Sequence, residues 1–433
     1  MKFKALFFCI YLLAAGWCFH RDVYLEKCYS SDLRNRIVGA RLEEDGVSPY
    51  FYKWKISDGM RYYDPATMDN YKFSGITASP FFHHLLYPVA NWQQRTISYL
   101  WLFMEYVALL ITTLIVLSFA KNTIQQYAVL SIAILFLFTE AWKTHIRLGQ
   151  LYIFIPMLAA IFYWLINKKQ KLLHAVCAGF VCITLILIRP NAILFFLPLA
   201  FFFNRFSRNY LVCFFLPVVL LCSYSVINST ERNLWTDYYK NIKMQIANYQ
   251  GYPVEKVNTD KDPGYATIEG FNMAAVKKLQ SSGKCTLYSE DGNFFVVFKA
   301  ILKKTISLPV MNALCLVCIA VLLVLFIKHK NGIDLLQAAL LGYTLMMITD
   351  LFSPVYRHQY ATVQWLFPVM LITAFVGQRI NWKYFVLFLG IALNIVNIEF
   401  IKMEHTIGEY LLLFAVLFFS FDKDLMHKKG ERI

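Results

Sequence analysis

ISYLWLFMEYVALLITTLIVLSFA, residues 97–120, is the stretch that settles the architecture. It is long enough to cross a hydrocarbon core of roughly 30 Å, and Glu105 is its single charged side chain. Similar runs fill most of the chain. Hydrophobic residues make up 58% of the 433, charged ones 16%, phenylalanines number 38 and mean hydropathy is +0.48, which together exclude an ordinary soluble domain. The net charge of +15 does not argue for nucleic acid, because many of the lysines and arginines sit as short clusters between apolar runs. That pattern orients helices in a bilayer.

Ahead of this run, MKFK leads into ALFFCIYLLAAGWCF, with a basic end and apolar core like a signal peptide's, but the exit Cys-Phe-His-Arg lacks small residues at cleavage spacing. The segment is therefore expected to stay as an anchor. After it, residues 20–96 are polar, aromatic and mixed in charge. Further apolar runs follow at 127–142, 151–166, 172–188, 192–203 and 210–227, then a second polar segment at 228–305. The series resumes at 306–327, 333–349, 361–377, 383–401 and 410–421. The expectation is one all-α polytopic membrane domain over 1–433 with about 12 spans, the shorter ones tilted, broken or re-entrant.

With a cytoplasmic N-terminus, Lys121, Lys168, Lys169, Lys171, Arg205, Arg208, Lys328, Lys330, Arg379 and Lys383 fall on one side, joined by the basic tail 422–433. The opposite short loops carry only Lys143, Arg147, Arg189, Arg357 and Lys402. By the positive-inside rule, 20–96 and 228–305 become two large extracytoplasmic loops. On that outer side gather Glu105, Glu140, Glu399, Asp350, Arg357, His358, His145, Arg147, Gln150 and Arg189. An ionisable group in a span is costly enough to be a functional candidate, although such groups also snorkel or face interfacial water.

Most of the 10 cysteines lie in apolar runs; Cys28 and Cys285 fall in the two outer loops, where an oxidising compartment allows either a bridge or two separate thiols. Cys315 and Cys318 flank Leu-Val inside a helix and lack the two further ligands of a closed metal site. The chemistry is sought instead in SDGMRYYDPATM, residues 57–68, with Asp58, Arg61, Tyr62, Tyr63 and Asp64, followed by Pro65, Pro80, His83, His84 and Pro88. A carboxylate held at the water–lipid boundary can act as general base on a hydroxyl; a loop aspartate is also an ordinary turn residue.

Three more stretches carry a resemblance: HIRLGQLYIFIPML (145–158), AVCAGFVCITLILIRPNAILFFLPLAFFFNRF (175–206) and DLFSPVYRHQYATVQWLFPVML (350–371). They resemble the Gly-Gln helix start, the small-residue helix leading to a basic residue and Pro, and the Ser-Pro segment with a following His of the polyprenol-phosphate-mannose-dependent mannosyltransferases. That is glycosyltransferase family 87, in the membrane-embedded GT-C superfamily. DGMRYYDPATM is similar to the family's first-loop motif. Here Arg189-Pro190 stands where Lys-Pro is common, the loop before Asp58 is long, and the expected paired prolines are reduced to Tyr87-Pro88.

The resemblance implies a GT-C-like bundle and a hexosyltransferase. It would move a sugar, mannose in the type case, from a polyprenyl-phosphate donor to a glycan or glycolipid hydroxyl outside the cytoplasm, with inversion. Asp58 is then the expected base, with Asp64 as its alternative. Arg189, Arg357 and His358 are the expected phosphate partners, through charge-assisted bonds. Arg61, Tyr62, Tyr63, His145 and Gln150 are the expected sugar or acceptor contacts, and Trp92 is a further ring for stacking, though such aromatics also form interfacial belts. No residue is assigned to a metal; a divalent ion is left open, as some relatives in the superfamily use one. Membrane lipids, the lipid-linked donor and the acceptor are the expected partners, nucleic acid is not, and a bacterial inner membrane with a periplasmic site is the expected setting.

In the second loop, NLWTDYYKNIKMQIANY (233–249) sets Leu234, Tyr238, Ile242 and Ile246 at helical spacing, for a helix lying in the membrane interface or packed on the protein. QGYPVEKVNTDKDPGYATIEG beyond it is expected to cover the acceptor side. Two other readings compete with the transferase. One is a lipid-linked glycan polymerase or ligase; the other is a transporter or flippase, for which midplane charges and an internal repeat would be the signs.

Overall fold

The computed structural model describes residues 2–26, 30–64, 71–168, 171–256, 269, 274, 278, 292–304, 306–330, 332–354, 357–375, 382–396 and 403–422. Cys28, Cys285, Pro65, Glu399 and the basic tail from residue 423 onward lie outside them. Among the described residues the regular structure is helical, with one isolated antiparallel bridge between Tyr71 and Lys256.

The helices, in chain order, begin with α1 (Lys2–Glu26), α2 (Ser31–Glu44), α3 (Pro80–Ala90), α4 (Gln94–Leu117), α5 (Thr123–Phe138) and α6 (Glu140–Leu148). Next come α7 (Phe154–Asn167), α8 (Leu172–Ile188), α9 (Ile193–Ala200), α10 (Arg208–Ile227), α11 (Ser229–Tyr249) and α12 (Phe294–Leu302). The set closes with α13 (Leu308–His329), α14 (Leu335–Leu351), α15 (Leu366–Ala374), α16 (Trp382–Ala392) and α17 (Glu404–Ser420). Local chemistry marks the boundaries. Asn122 and Gln125 form a reciprocal capping box at the start of α5, Asp334 and Gln337 another at α14, and the Ser79 hydroxyl accepts the Phe82 amide ahead of Pro80 at α3.

Among the described residues, four helices are long and apolar enough to cross a bilayer alone: the Leu6–Tyr24 part of α1, then α4, α10 and α13. A fifth crossing is available if α5 and α6 count as one span, bent by 60° where the Thr139 hydroxyl leaves one helix and caps the next. Helices α7, α8, α14 and α16 are apolar but shorter, as is the stretch Pro190–Ala200 that holds α9. Helix length alone therefore supports four to five spans rather than the twelve expected from the apolar runs.

Helices α14 and α15 are buried on nearly every side, as befits the centre of a bundle. Gly342 lets α14 lie directly on the backbone of α9, where a Cβ would come within 2.2 Å of the Phe195 carbonyl oxygen. Small residues at such crossings are how membrane helices gain contact area. The end of α1 is tied in through Asp22, which is fully buried and accepts from Tyr106 (2.7 Å), Trp142 Nε1 (2.9 Å) and Arg21 Nε (2.7 Å).

Above one end of the bundle sits α2, a polar helix that is nonetheless buried from Leu33 to Glu43. Its arginines replace the missing apolar packing. Arg41 donates to the carbonyls of Ala90 (2.6 Å), Arg61 (2.9 Å) and Trp92 (3.0 Å), while Arg34 holds the Tyr63 carbonyl (2.8 Å). Both arginines reach Glu269 at 2.7 Å, which ties the second polar segment to the first. A buried arginine left without such acceptors would be prohibitively costly.

Candidate active site

A cavity of about 630 Å³ lies between α2, α11 and the ends of α8 and α14. Its charged lining is Asp32 and Arg36 from α2, Arg189 from the end of α8, Asp350 from α14 and Arg357 from the segment beyond it, with His358 adjacent. Aromatic walls come from Tyr152 and Tyr360, whose rings stack at 5.4 Å, and from Tyr238, Tyr239 and Tyr249 on α11.

The carboxylate is set by a turn at the end of α6. Gly149 closes that helix in the left-handed conformation (φ 62°), and a Cβ there would stand 2.7 Å from the Leu33 Cβ and 2.8 Å from the Ser30 Cβ. Only glycine lets the turn dock on the start of α2. Gln150, next in sequence, accepts from Arg36 Nη2 (2.7 Å) through its side-chain oxygen, so its amide nitrogen is left to donate to Asp32 Oδ2. Arg36 Nη1 also holds the Gly149 carbonyl at 2.9 Å. Asp32 sits in the first turn of α2, where the helix dipole favours an anion, and is held by hydrogen bonds from Gln150 and from Ser31 (3.2 Å).

We expect Gly149→Ala to lose most activity and several degrees of thermal midpoint, because it meets both positive φ and a filled contact. Activity assay beside a melting curve checks this; a fully active variant of wild-type stability would refute the docking role.

Facing the carboxylate is a chain of alternating charges. Arg189 Nη2 pairs with Asp350 Oδ2, the same oxygen accepts from Arg357 Nη1 (2.8 Å), and Arg357 Nη2 pairs with Glu409 Oε1 (2.6 Å). Asn191 (2.7 Å) and Gln364 (3.2 Å) complete Asp350, and Trp365 Nε1 (2.9 Å) completes Glu409. The two arginines differ in what they have left to offer. Arg357 is 4% exposed and bound by two carboxylates, whereas Arg189 is 21% exposed, stacks over Tyr152 (4.9 Å to the ring centre), and its Nε has no partner among the described residues. Burial pushes the His358 imidazole below its ordinary value, against the opposing pull of Asp32, so it stands neutral at pH 7 as a hydrogen-bonding group.

Of the residues expected from sequence, Arg189, Arg357 and His358 line this cavity, and Gln150 is bonded to two residues that do. The others lie elsewhere. Asp58 sits on a short 3-10 turn where the Tyr52 hydroxyl (2.5 Å) and the Lys55 amide (3.0 Å) occupy its carboxylate, and the Tyr52 bond holds it below the usual carboxylate range. Asp64 is buried and accepts from Asn35 (2.6 Å), itself a cavity residue.

Arg61 and Tyr62 both bind Asp45 on the outer surface, and Tyr63 is buried edge-on to Trp54. His145 is fully buried: its Nε2 accepts the Ile153 amide (3.2 Å) and its Nδ1 faces Glu105 at 3.1 Å, so both work within the bundle rather than at interfacial water. Helix α11 is packed on the protein. Asn241 and Gln245 hold the carbonyls of Ile76 (2.6 Å) and Ser74 (3.0 Å), and that face, rather than one running through Ile246, is the buried one. Asp32 was missed by the sequence reading. Its available signal was a Ser-Ser-Asp helix start directly after the first apolar run.

Fold and site together define a helical membrane protein with a polar, charge-lined cavity at one end of its bundle. Residues 77–259, less than half of the chain, match the model of glycosyltransferase family 87, so the family resemblance stands for that segment. The matched segment runs from α3 to α11 and supplies the cavity wall bearing Tyr152, Arg189 and Tyr238, while Asp32 and Arg357 lie outside it. No curated protein and no solved structure matches the chain.

Proposed function

We propose that this protein transfers a hexosyl group, mannose in the first instance, from a polyprenyl-phosphate donor to a hydroxyl of a glycan or glycolipid. The supporting observation is that one cavity holds a partly exposed carboxylate, Asp32, together with an arginine, Arg189, that is 21% exposed. In this reading Asp32 takes the role first expected of Asp58 or Asp64. It removes the acceptor proton as the acceptor oxygen attacks the anomeric carbon from the side opposite the phosphate. The bond from that carbon to the phosphate oxygen breaks, and polyprenyl phosphate leaves with the electron pair.

Arg189 and neutral His358 receive the departing oxygens, while Arg357, braced by Asp350 and Glu409, holds Arg189's partner in place. Attack from the opposite side inverts the anomeric centre. Tyr152, Tyr239 and Tyr249 offer ring faces for sugars. The shorter apolar helices complete the GT-C-like bundle as tilted or paired crossings, and the cavity faces outward from a bacterial inner membrane. No step requires a metal.

The test is transfer by the purified protein from a panel of radiolabelled polyprenyl-phosphate sugars to lipid and glycan acceptors. Turnover with one donor, giving the inverted linkage, is expected. Absence of transfer from every donor would reject the reading.

A further inference from the structure

At the other end of the bundle lies a second cavity of about 410 Å³, lined by Phe201, Phe202, Asn204, Arg205, Phe326 and Lys330, with Ile333 at its edge. Helix α14 connects the two sites: it starts at Leu335 beside Ile333 and ends at Leu351 beside Asp350, so its 17 residues separate them by about 25 Å along the axis. Among the described residues the lining carries two cations and an amide, and no carboxylate. The Arg205 guanidinium lies over the Phe202 ring at 4.3 Å, which fixes its position, and the rings of Phe201 and Phe326 meet edge to face at 5.3 Å to form the floor.

The surroundings indicate what kind of anion fits. Helix α10 begins at Arg208, three residues past Arg205, and α13 ends at His329, next to Lys330. Both helices are long and apolar enough to cross a bilayer and have broadly exposed apolar faces, such as Val212, Leu216 and Val219 on α10 and Val317, Val321 and Val324 on α13. The cations thus stand where two lipid-facing helices reach the membrane surface, the position of a headgroup whose chains run along apolar protein. A free phosphate would use the cations but not those faces.

We propose that this cleft binds the phosphate headgroup of an anionic membrane lipid, with its acyl chains lying along α10 and α13. The site is separate from the reaction cavity and does not depend on the transferase reading. The experiment is native mass spectrometry of the full-length protein in detergent with phosphatidylglycerol or phosphatidylcholine of matched chains, and with inorganic phosphate as competitor. Selective retention of phosphatidylglycerol is expected.

Arg205→Gln/Lys330→Gln should weaken retention about 30-fold, on the usual contribution of one interfacial cation each. The charge-conserving Arg205→Lys/Lys330→Arg should keep most of it, and Lys121→Gln/Lys168→Gln, basic residues outside the cleft, should behave as wild type. Equal retention of the two lipids by wild type would overturn the proposal, as would a neutralised cleft that still selects, or equal loss in the Lys121/Lys168 control. Displacement of the lipid by an equal concentration of inorganic phosphate would overturn the lipid assignment as well.

Discussion

Asp32→Asn is expected to lower kcat for sugar transfer by about 10²–10⁴-fold while leaving donor binding within a few-fold of wild type, the usual size of a lost general base. The amide preserves the size of the side chain, and Asp32 is only partly buried at the start of α2, so folding should survive. The paired measurement is Asp58→Asn. Its carboxylate accepts from Tyr52 and the Lys55 amide outside the cavity, so this variant should retain turnover within a few-fold. Single-turnover rates with bound donor, measured for both variants, decide the matter. If Asp58→Asn were the inactive one, the base would lie in the first-loop motif and the cavity assignment would fall.

The two arginines should fail in different ways. Arg189→Gln is expected to reduce kcat by about 10²–10³-fold with little loss of stability, because the charge proposed to meet the leaving phosphate is gone while Asp350 keeps Arg357, Asn191 and Gln364. Arg357→Gln leaves Glu409 and Asp350 buried with fewer counter-charges, and breaking such a pair costs about 3–5 kcal/mol. Its signature is a large fall in thermal midpoint and poor yield. Comparing melting curves with kcat for the two variants separates phosphate contact from structural brace. An Arg189→Gln protein as unstable as Arg357→Gln would show that both merely hold the bundle together.

The membrane class was readable residue by residue because it rests on local sums. A run such as 97–120 is apolar whatever surrounds it, and the cost of placing such a run in water is additive along the chain. The basic ends of helices were readable for the same reason, and Arg189, Arg357 and His358 prove to share a cavity because each sits where an apolar run stops. Span number was less legible. Thr139 interrupts the run 127–142 without making it less hydrophobic, so hydropathy joins what helix geometry divides.

The proposed base could not be found this way. Arg61, Tyr62 and Tyr63 are neighbours of Asp58 in sequence, yet they point to Asp45 and Trp54. Asp32 gains its setting from Arg36, one helical turn on, and from Gly149 and Gln150, more than a hundred residues away along the chain and brought to it by one left-handed turn docking on one helix. Partition into lipid is a property of segments and survives in the one-dimensional text. A carboxylate's role depends on which donors and cations stand within a few ångströms, and those neighbours exist only once α6 has closed against α2 and α14 has carried Asp350 to the same end of the bundle.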